Sequence, residues 1–166
     1  MMYTSHYLSP VGDLTMTGTE SNLTALYFLF QKNNPVVLDD LIERETEVFT
    51  KTKLYLDSYF EGKRPSLLPK IEIHTTPFRH NVYEILSTIG YGKTLTYGDI
   101  AKILIDKNKL KAMSSQAVGN AVGHNPICII IPCHRVLGKD GALTGFAGGL
   151  EAKKKLLSLE GIVFKE

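Results

Sequence analysis

Cys133, His134 and Arg135 stand side by side after Pro132 and the apolar run 127–131. A thiolate is a strong nucleophile and a neutral thiol a poor one, so a cysteine does chemistry where something nearby takes its proton. The adjacent imidazole is a candidate base, and a carboxylate to orient that ring would complete a cysteine–histidine–acid relay. Neighbouring side chains in an extended segment face opposite ways, so thiol and imidazole cooperate only if the chain turns here or a water bridges them. Pro132 fixes the backbone before the cysteine, and the polar residues after it mark where the chain leaves the core. Cys128, between Ile127 and Ile129, reads instead as a small core residue. Metal is a poor alternative: no second ligand cluster accompanies Cys128 and Cys133, and Pro126 and apolar residues separate His124 from them.

Such a pair needs a frame. Toward the N-terminus, residues 14–17 and 23–30 read as strands, ended by Asn33-Asn34-Pro35, and residues 36–38 open a further element. Over 43–60 a helix is expected, with Val48, Thr52, Tyr55 and Tyr59 on one face, Phe49, Leu56 and Phe60 widening it, and Gly62 as its stop. Residues 63–77 carry three prolines and no periodic pattern. They read as the connection between two domains, 1–75 and 76–166. Pro77 then begins an amphipathic helix through Phe78, Val82, Ile85, Leu86 and Ile89, closed by Gly90 and Gly92. Tyr97, Ile100, Ala101 and Leu104 fall at i, i+3, i+4 and i+7 behind a Thr96 N-cap. A polar connector over 106–111 leads to another helix over 115–122 that buries Ala117, Val118, Ala121 and Val122. Two short helices so joined are a helix-turn-helix candidate. Residues 141–149 are dense in glycine and suit a pocket wall that presents backbone donors, without the lysine and spacing of a phosphate loop. A last helix spans 150–160.

A chain of 166 residues buries one core, or two small ones in contact. The 43% hydrophobic and 22% charged content is that of a globular protein rather than a disordered one. No basic stretch opens the chain and no apolar run near the cysteine spans a bilayer, so a cytoplasmic protein without membrane contact is expected. A structural disulfide is not expected there. The net charge of +2 is unevenly spread: residues 1–79 hold eight basic and ten acidic side chains, residues 80–166 eleven and seven. A mildly basic second half suits a polyanion as well as it suits a plain solvated surface.

The segment Ile131-Pro132-Cys133-His134-Arg135-Val136 resembles the active-site motif of the O6-alkylguanine-DNA alkyltransferases, also called methylated-DNA–protein-cysteine methyltransferases. The order and spacing of Ala117-Val118-Gly119-Asn120-Ala121, Asn125-Pro126, Gly145-Phe146-Ala147-Gly148-Gly149-Leu150, Lys153 and residues 156–161 resemble that family as well. Gly12-Asp13-Leu14 and Leu23-Thr24-Ala25-Leu26 are similar to its smaller domain, so the resemblance runs over essentially the whole chain. It implies an α/β N-terminal ribonuclease-H-like domain followed by a mostly helical C-terminal domain holding the helix-turn-helix. It also implies direct DNA repair by irreversible, single-turnover transfer of the alkyl group from O6-alkylguanine, and O4-alkylthymine, in double-stranded DNA to Cys133. No metal, nucleotide, methyl donor or other cofactor is implied.

Carried across residue by residue, the resemblance has His134 deprotonate Cys133 through a water, Glu160 orient His134, and Asn125 support the turn before the nucleophile. Tyr97 would help rotate the target nucleotide and protonate N3 of the departing guanine. Backbone groups around Cys133 and Val136 would read the guanine edge, with Phe146, Ala147 and Gly148 lining the pocket. Gln116, Ala117 and Ala121 would face DNA, and Ser114 and Ser115 would meet phosphate at a helix start. Arg135 also stands among the DNA-facing candidates, although a tie between the cysteine segment and the fold is its stronger reading. The resemblance implies a monomer on the minor groove; the helix pair alone would suggest the major groove.

Two positions depart from the family. Gln116 stands where arginine is common, which implies weaker DNA affinity or nucleotide extrusion with the chemistry kept. Phe146 replaces a frequent tyrosine, a mild change that loses a hydroxyl and keeps the apolar wall. Two other functions compete. A non-catalytic binder of alkylated DNA would have its acceptor cysteine replaced, commonly by tryptophan, and Cys133 speaks against it. A thiol hydrolase would need water access and an oxyanion hole, and would turn over many times.

Overall fold

The computed structural model describes residues 1–31, 40–108 and 110–166. The turn at 33–35 and the further element expected from 36–38 lie outside these residues. In the N-terminal half, β1 (Tyr3–Ser9), β2 (Gly12–Gly18), β3 (Leu23–Phe28) and the short β4 (Ile42–Glu43) form a sheet in the order β3-β2-β1-β4. β1 and β2 form a hairpin with Tyr3 opposite Gly18 and Ser9 opposite Gly12; β3 runs antiparallel to β2, and β4 parallel to β1. β1 is absent from the sequence reading because its polar Thr4, Ser5 and His6 show no apolar alternation. Its place is set by backbone pairing instead. β3 stops at Phe28, short of the expected residue 30, because Phe28 N–H donates to Gln31 Oε1 and Gln31 N–H returns to Phe28 O, closing a turn.

Helix α1 (Glu47–Phe60) begins later than expected, since Ile42 and Glu43 pair with β1 and Thr46 caps the helix by accepting from Phe49 N–H. Its buried face is the expected stripe: Val48, Phe49, Thr52, Leu56 and Tyr59. Gly62 follows with φ of +80°, where a glycine costs least.

The C-terminal half is helical. α2 (Pro77–Ser87) is capped by Thr76 and has Pro77 in its first turn. β5 (Leu95–Thr96) leads into α3 (Tyr97–Asn108), where Thr96 and Asp99 cap each other: Asp99 N–H donates to Thr96 Oγ1 at 3.0 Å and Thr96 N–H to Asp99 Oδ2 at 2.9 Å. α3 extends into the expected connector. Ser114 then caps α4 (Ser115–Gly123) through Ala117 N–H, completing the helix pair. β6 (Val136–Leu137) lies parallel to β5, and α5 (Leu150–Leu159) ends the fold.

One apolar core runs through both halves, from Leu14, Leu26, Phe49 and Leu56 to Leu86, Ile100, Val118, Ile127 and Leu156. Backbone bonds stitch the seam: Leu26 N–H to Pro126 O at 2.8 Å and Cys128 N–H to Leu26 O at 2.9 Å. The strand β3 therefore holds the segment that delivers Cys133. No helix among the described residues is long and apolar enough to cross a membrane.

Candidate active site

The chain before Cys133 folds into tight turns. Ile131 N–H reaches Ile127 O, Ile130 N–H reaches Cys128 O and Cys133 N–H reaches Ile131 O. Ile129 is forced to φ of +67°, a left-handed conformation that a β-branched residue adopts only under constraint. Asn125 supplies that constraint. Its Nδ2 donates to Ile127 O (3.2 Å) and Ile131 O (2.8 Å), and its Oδ1 accepts from Ile127 N–H (3.0 Å), all buried. Asn125→Ala would leave two carbonyls and one N–H buried without these partners, at about 1 kcal/mol or more each. A loss of about 3 kcal/mol and a melting temperature lowered by about 10 °C are expected in calorimetry. A shift below about 2 °C would show that the turns hold themselves.

Cys133–Arg135 then form one 3-10 turn, so the thiol and the imidazole leave the same tight bend rather than opposite faces of a strand. His134 is completely buried, and its Nε2 lies 2.6 Å from Glu160 Oε2. A carboxylate only accepts, so Nε2 carries the proton toward Glu160 and Nδ1 keeps the free lone pair. Nδ1 has no hydrogen-bond partner among the described residues. Glu160 receives more than the histidine: Arg135 Nε at 2.7 Å and Gly92 N–H at 3.0 Å on Oε1, Tyr59 O–H at 2.6 Å and Arg135 Nη2 at 3.2 Å on Oε2. Burial opposes its ionisation, but the hydrogen bonds and charges of His134 and Arg135, with Gly92 N–H, hold its carboxyl well below the usual range. Burial also lowers the His134 pKa, and Glu160 recovers only part of that. The ring is therefore neutral near pH 7 and available as a base.

Arg135 is correspondingly spent. It is 8% exposed, pairs with Glu160 and donates through Nη1 to Ile89 O at 2.6 Å. Its assignment to the DNA-facing set is corrected: the guanidinium ties the cysteine turn to the end of α2 and to Glu160.

Burial pushes the Cys133 thiol up; Asn125, the positive Lys153 and the nearby backbone N–H groups oppose this without cancelling it. The resting residue is a thiol. It lines a cavity of about 50 Å³ with Tyr97, Asn125, Gly145, Phe146 and Ala147. Tyr97 O–H and Thr144 Oγ1 are 2.9 Å apart, and the Tyr97 ring packs over Gly119 of α4. Phe28, from β3, meets Phe146 edge to face at 5.6 Å and forms another wall. Of the expected pocket residues, Phe146 and Ala147 line this cavity, Val136 is fully buried with its side chain in the core, and Gly148 lies outside the cavity lining. Val136 contributes a carbonyl that accepts from Lys153 Nζ, and Gly148 is where Phe28 presses on the backbone, a Cβ there lying 2.5 Å from the ring. A larger groove of about 350 Å³ between α1 and residues 65–68 holds no nucleophile–base pair.

On α4, Ser114, Ser115 and Gln116 are exposed and Ala117 is half-buried. Ala121 is only 1% exposed, so its expected contact with DNA is corrected to a core position against α2 and α3. Three residues near the site were not assigned from the sequence. Lys153 is fully buried, donates to Val136 O (2.8 Å) and Thr144 Oγ1 (3.1 Å), and burial lowers its pKa to about 8. Its signal was present: Lys153, Leu156, Leu157 and Glu160 share one helical face. Phe28 and Tyr59 reach the site from the other half of the chain, and no local pattern marks them.

Comparison with known proteins agrees with this geometry. Residues 77–162 match the family model described as 6-O-methylguanine DNA methyltransferase, DNA binding domain, and residues 2–73 the one described as 6-O-methylguanine DNA methyltransferase, ribonuclease-like domain. The methylated-DNA–protein-cysteine methyltransferase of Methanosarcina acetivorans is 41% identical, covering 96% of this chain and 99% of its own. That of Haemophilus influenzae is also 41% identical, over 98% and 88%. The crystal structure of Mycobacterium tuberculosis OGT in complex with DNA superposes with a TM-score of 0.82 at 37% identity, over 95% of this chain and 92% of that one. A ribonuclease-like half joined to a DNA-binding half that delivers a cysteine makes this chain a member of the methylated-DNA–protein-cysteine methyltransferase family, enzymes of direct DNA repair by alkyl transfer to a cysteine.

Proposed function

We propose that Cys133 is the alkyl acceptor and that its substrate is O6-alkylguanine, with O4-alkylthymine, in double-stranded DNA. The observation that carries this reading is the buried Cys133–His134 turn backed by Glu160 and opening on a cavity walled by Tyr97 and Phe146. Guanine O6 lies within the base stack, so the nucleotide must be extruded before a thiolate reaches the alkyl carbon. Cys133 loses its proton to His134 Nδ1 through a water, and the resulting imidazolium is held by Glu160. Sulfur then displaces guanine in line: the S–C bond forms, the O6–C bond breaks, and its electron pair goes to the base. The Tyr97 hydroxyl delivers a proton to N3 of the leaving guanine. A thioether resists hydrolysis, so each molecule reacts once. No cofactor enters this balance.

The exposed start of α4 suits DNA: Gln116 enters the gap left by the extruded nucleotide, Ser114 and Ser115 face phosphate, and Ala117 lets the helix approach the minor groove. The division of labour falls between residues 1–75 and 76–166, in a monomer acting in the cytoplasm. Gln116 carries no charge to meet the backbone field, so Gln116→Arg is expected to tighten duplex binding several-fold and to speed transfer, with a steeper salt dependence. Equal affinity and equal rate in both proteins would remove Gln116 from the gap.

Intact mass after incubation with an O6-methylguanine duplex tests the whole reading. One methyl group per protein, mapped to Cys133 by peptide sequencing, is the expected result. Selective binding to the lesion without mass gain by a reduced protein would make the chain a damage-recognition binder. Methylation elsewhere would displace Cys133 from its role.

A further inference from the structure

Glu160 Oε2 accepts three donors from two parts of the chain. Two come from the cysteine turn, His134 Nε2 at 2.6 Å and Arg135 Nη2 at 3.2 Å. The third is the Tyr59 hydroxyl, 2.6 Å away and carried by α1 of the N-terminal half. The same phenol oxygen lies 3.4 Å from His134 Nε2, and the Tyr59 ring stands at 6.3 Å and 70° to the imidazole. Tyr59 is 1% exposed, so this contact excludes water.

We propose that Tyr59 is a positioning residue of the alkyl transfer: its hydroxyl, by donating to Glu160, sets how strongly that carboxylate holds the His134 ring and its proton. The inference rests on reading His134 as the base for Cys133. A carboxylate shares a finite charge among its donors, and each bond drawn by one partner weakens its pull on the next. Tyr59 therefore keeps Glu160 from over-stabilising the imidazolium, which would leave Nδ1 protonated and useless as a base at working pH. It also fixes Oε2 in space, and with it the ring plane.

The groups that face His134 are few. Lys153 lies on α5 and Glu160 caps its end, Arg135 comes from the same turn as His134, and Tyr59 from α1. Tyr91 backs Tyr59 at 6.1 Å. Burial and Glu160 keep the Tyr59 phenol protonated far above neutral pH, so it acts as a donor throughout the working range. Tyr59 is the single polar side chain among these that the N-terminal half contributes. The ribonuclease-like half thus reaches into the relay through one hydroxyl, in addition to bracing the nucleophile segment through β3.

The test compares wild type, Tyr59→Phe, and a protein in which Tyr59 is replaced by 2,3-difluorotyrosine, an isostere with a more acidic hydroxyl. His134 is titrated by NMR, with Cys133 methyl transfer from an O6-methylguanine duplex measured against pH in parallel. In Tyr59→Phe the His134 midpoint and the acid limb of the rate profile should rise together by about one pH unit, the size of one hydrogen bond to a charged group. In the fluorinated protein, both should fall. A purely structural role would lower the melting temperature and scale the rate equally at all pH, with both midpoints in place. Midpoints unmoved in both variants overturn the proposal. If Tyr59→Phe does not fold, the fluorinated protein decides alone. Failure of wild type to accept a methyl group would refute the alkyl-transfer reading, while the NMR titration would still report whether Tyr59 governs His134.

Discussion

Cys133→Ala is expected to abolish methyl transfer completely while leaving a folded protein that still binds the lesion. Every other group in the site acts through this sulfur, so none substitutes for it. His134 is buried and its Nε2 is committed to Glu160, Tyr97 is held protonated by burial, and Cys128 is a buried thiol whose pKa burial raises even further. The stability cost is modest. Replacing a buried sulfur by hydrogen removes one heavy atom, about 1–2 kcal/mol by analogy with small core truncations. The Asn125 clasp and the Glu160 network do not depend on the sulfur. Mass spectrometry should show no methyl on the variant, and a gel-shift titration should show binding to an O6-methylguanine duplex at least as persistent as that of wild type. Methyl transfer by the variant to any residue would break the assignment. Cys133→Ser sharpens the test: it keeps the shape but replaces the thiol by a hydroxyl that the relay does not ionise, and it should be equally inactive.

Glu160→Gln should be the most damaging change outside the nucleophile. The substitution preserves volume but removes the one carboxylate among the described residues that pairs with Arg135, whose guanidinium is largely buried. Stranding a buried guanidinium costs about 3–5 kcal/mol, or a melting temperature lowered by about 10 °C or more for a domain of this size. The rate should fall by roughly 10²–10³, since the base loses both its orientation and the charge that stabilises its protonated form. The pH dependence has a definite sign. The folded Glu160 carboxyl titrates below its ordinary value of 4.5, so its contribution is fully present above that value and is lost as pH falls through the folded one. The stability gap between wild type and Glu160→Gln should thus be widest near neutral pH and should close in acid below about pH 4. Urea melts at several pH values measure it. A gap of constant size from neutral pH to pH 3 would mean that Glu160 is not the ionised partner.

What was legible in the sequence is what local physics encodes. The stripe on α1, the Pro77 helix start, the Thr96 cap and the α3–α4 pair were readable because each depends on residues within a turn or two of one another. The cysteine motif, with Asn125 and Glu160 at their spacings, was sufficient to name the chemistry. Errors arose where partners are far apart in the chain. β1 has no apolar alternation and exists because β2 and β4 pair with it. Ala121 has a residue type that says nothing about which face it occupies, and packing turned it inward. Arg135 reads from the sequence more as a tie to the fold than as a DNA contact, but only the structure supplies its partner Glu160, distant in sequence.

The sequence by itself determined the family, and it singled out the residues proposed as nucleophile, base and acid and the helix pair proposed to face DNA. Those are matters of residue type, order and short-range periodicity. Only the tertiary structure decided how the site is held. It placed Tyr59 of α1 on Glu160, Phe28 of β3 against Phe146, and the Lys153 ammonium beneath Val136 O and Thr144. Each of these joins groups brought together by burying one core through both halves of the chain. In that buried interior a single hydroxyl or carboxylate governs its neighbours' protons, an effect that exists only after the distant partners have met.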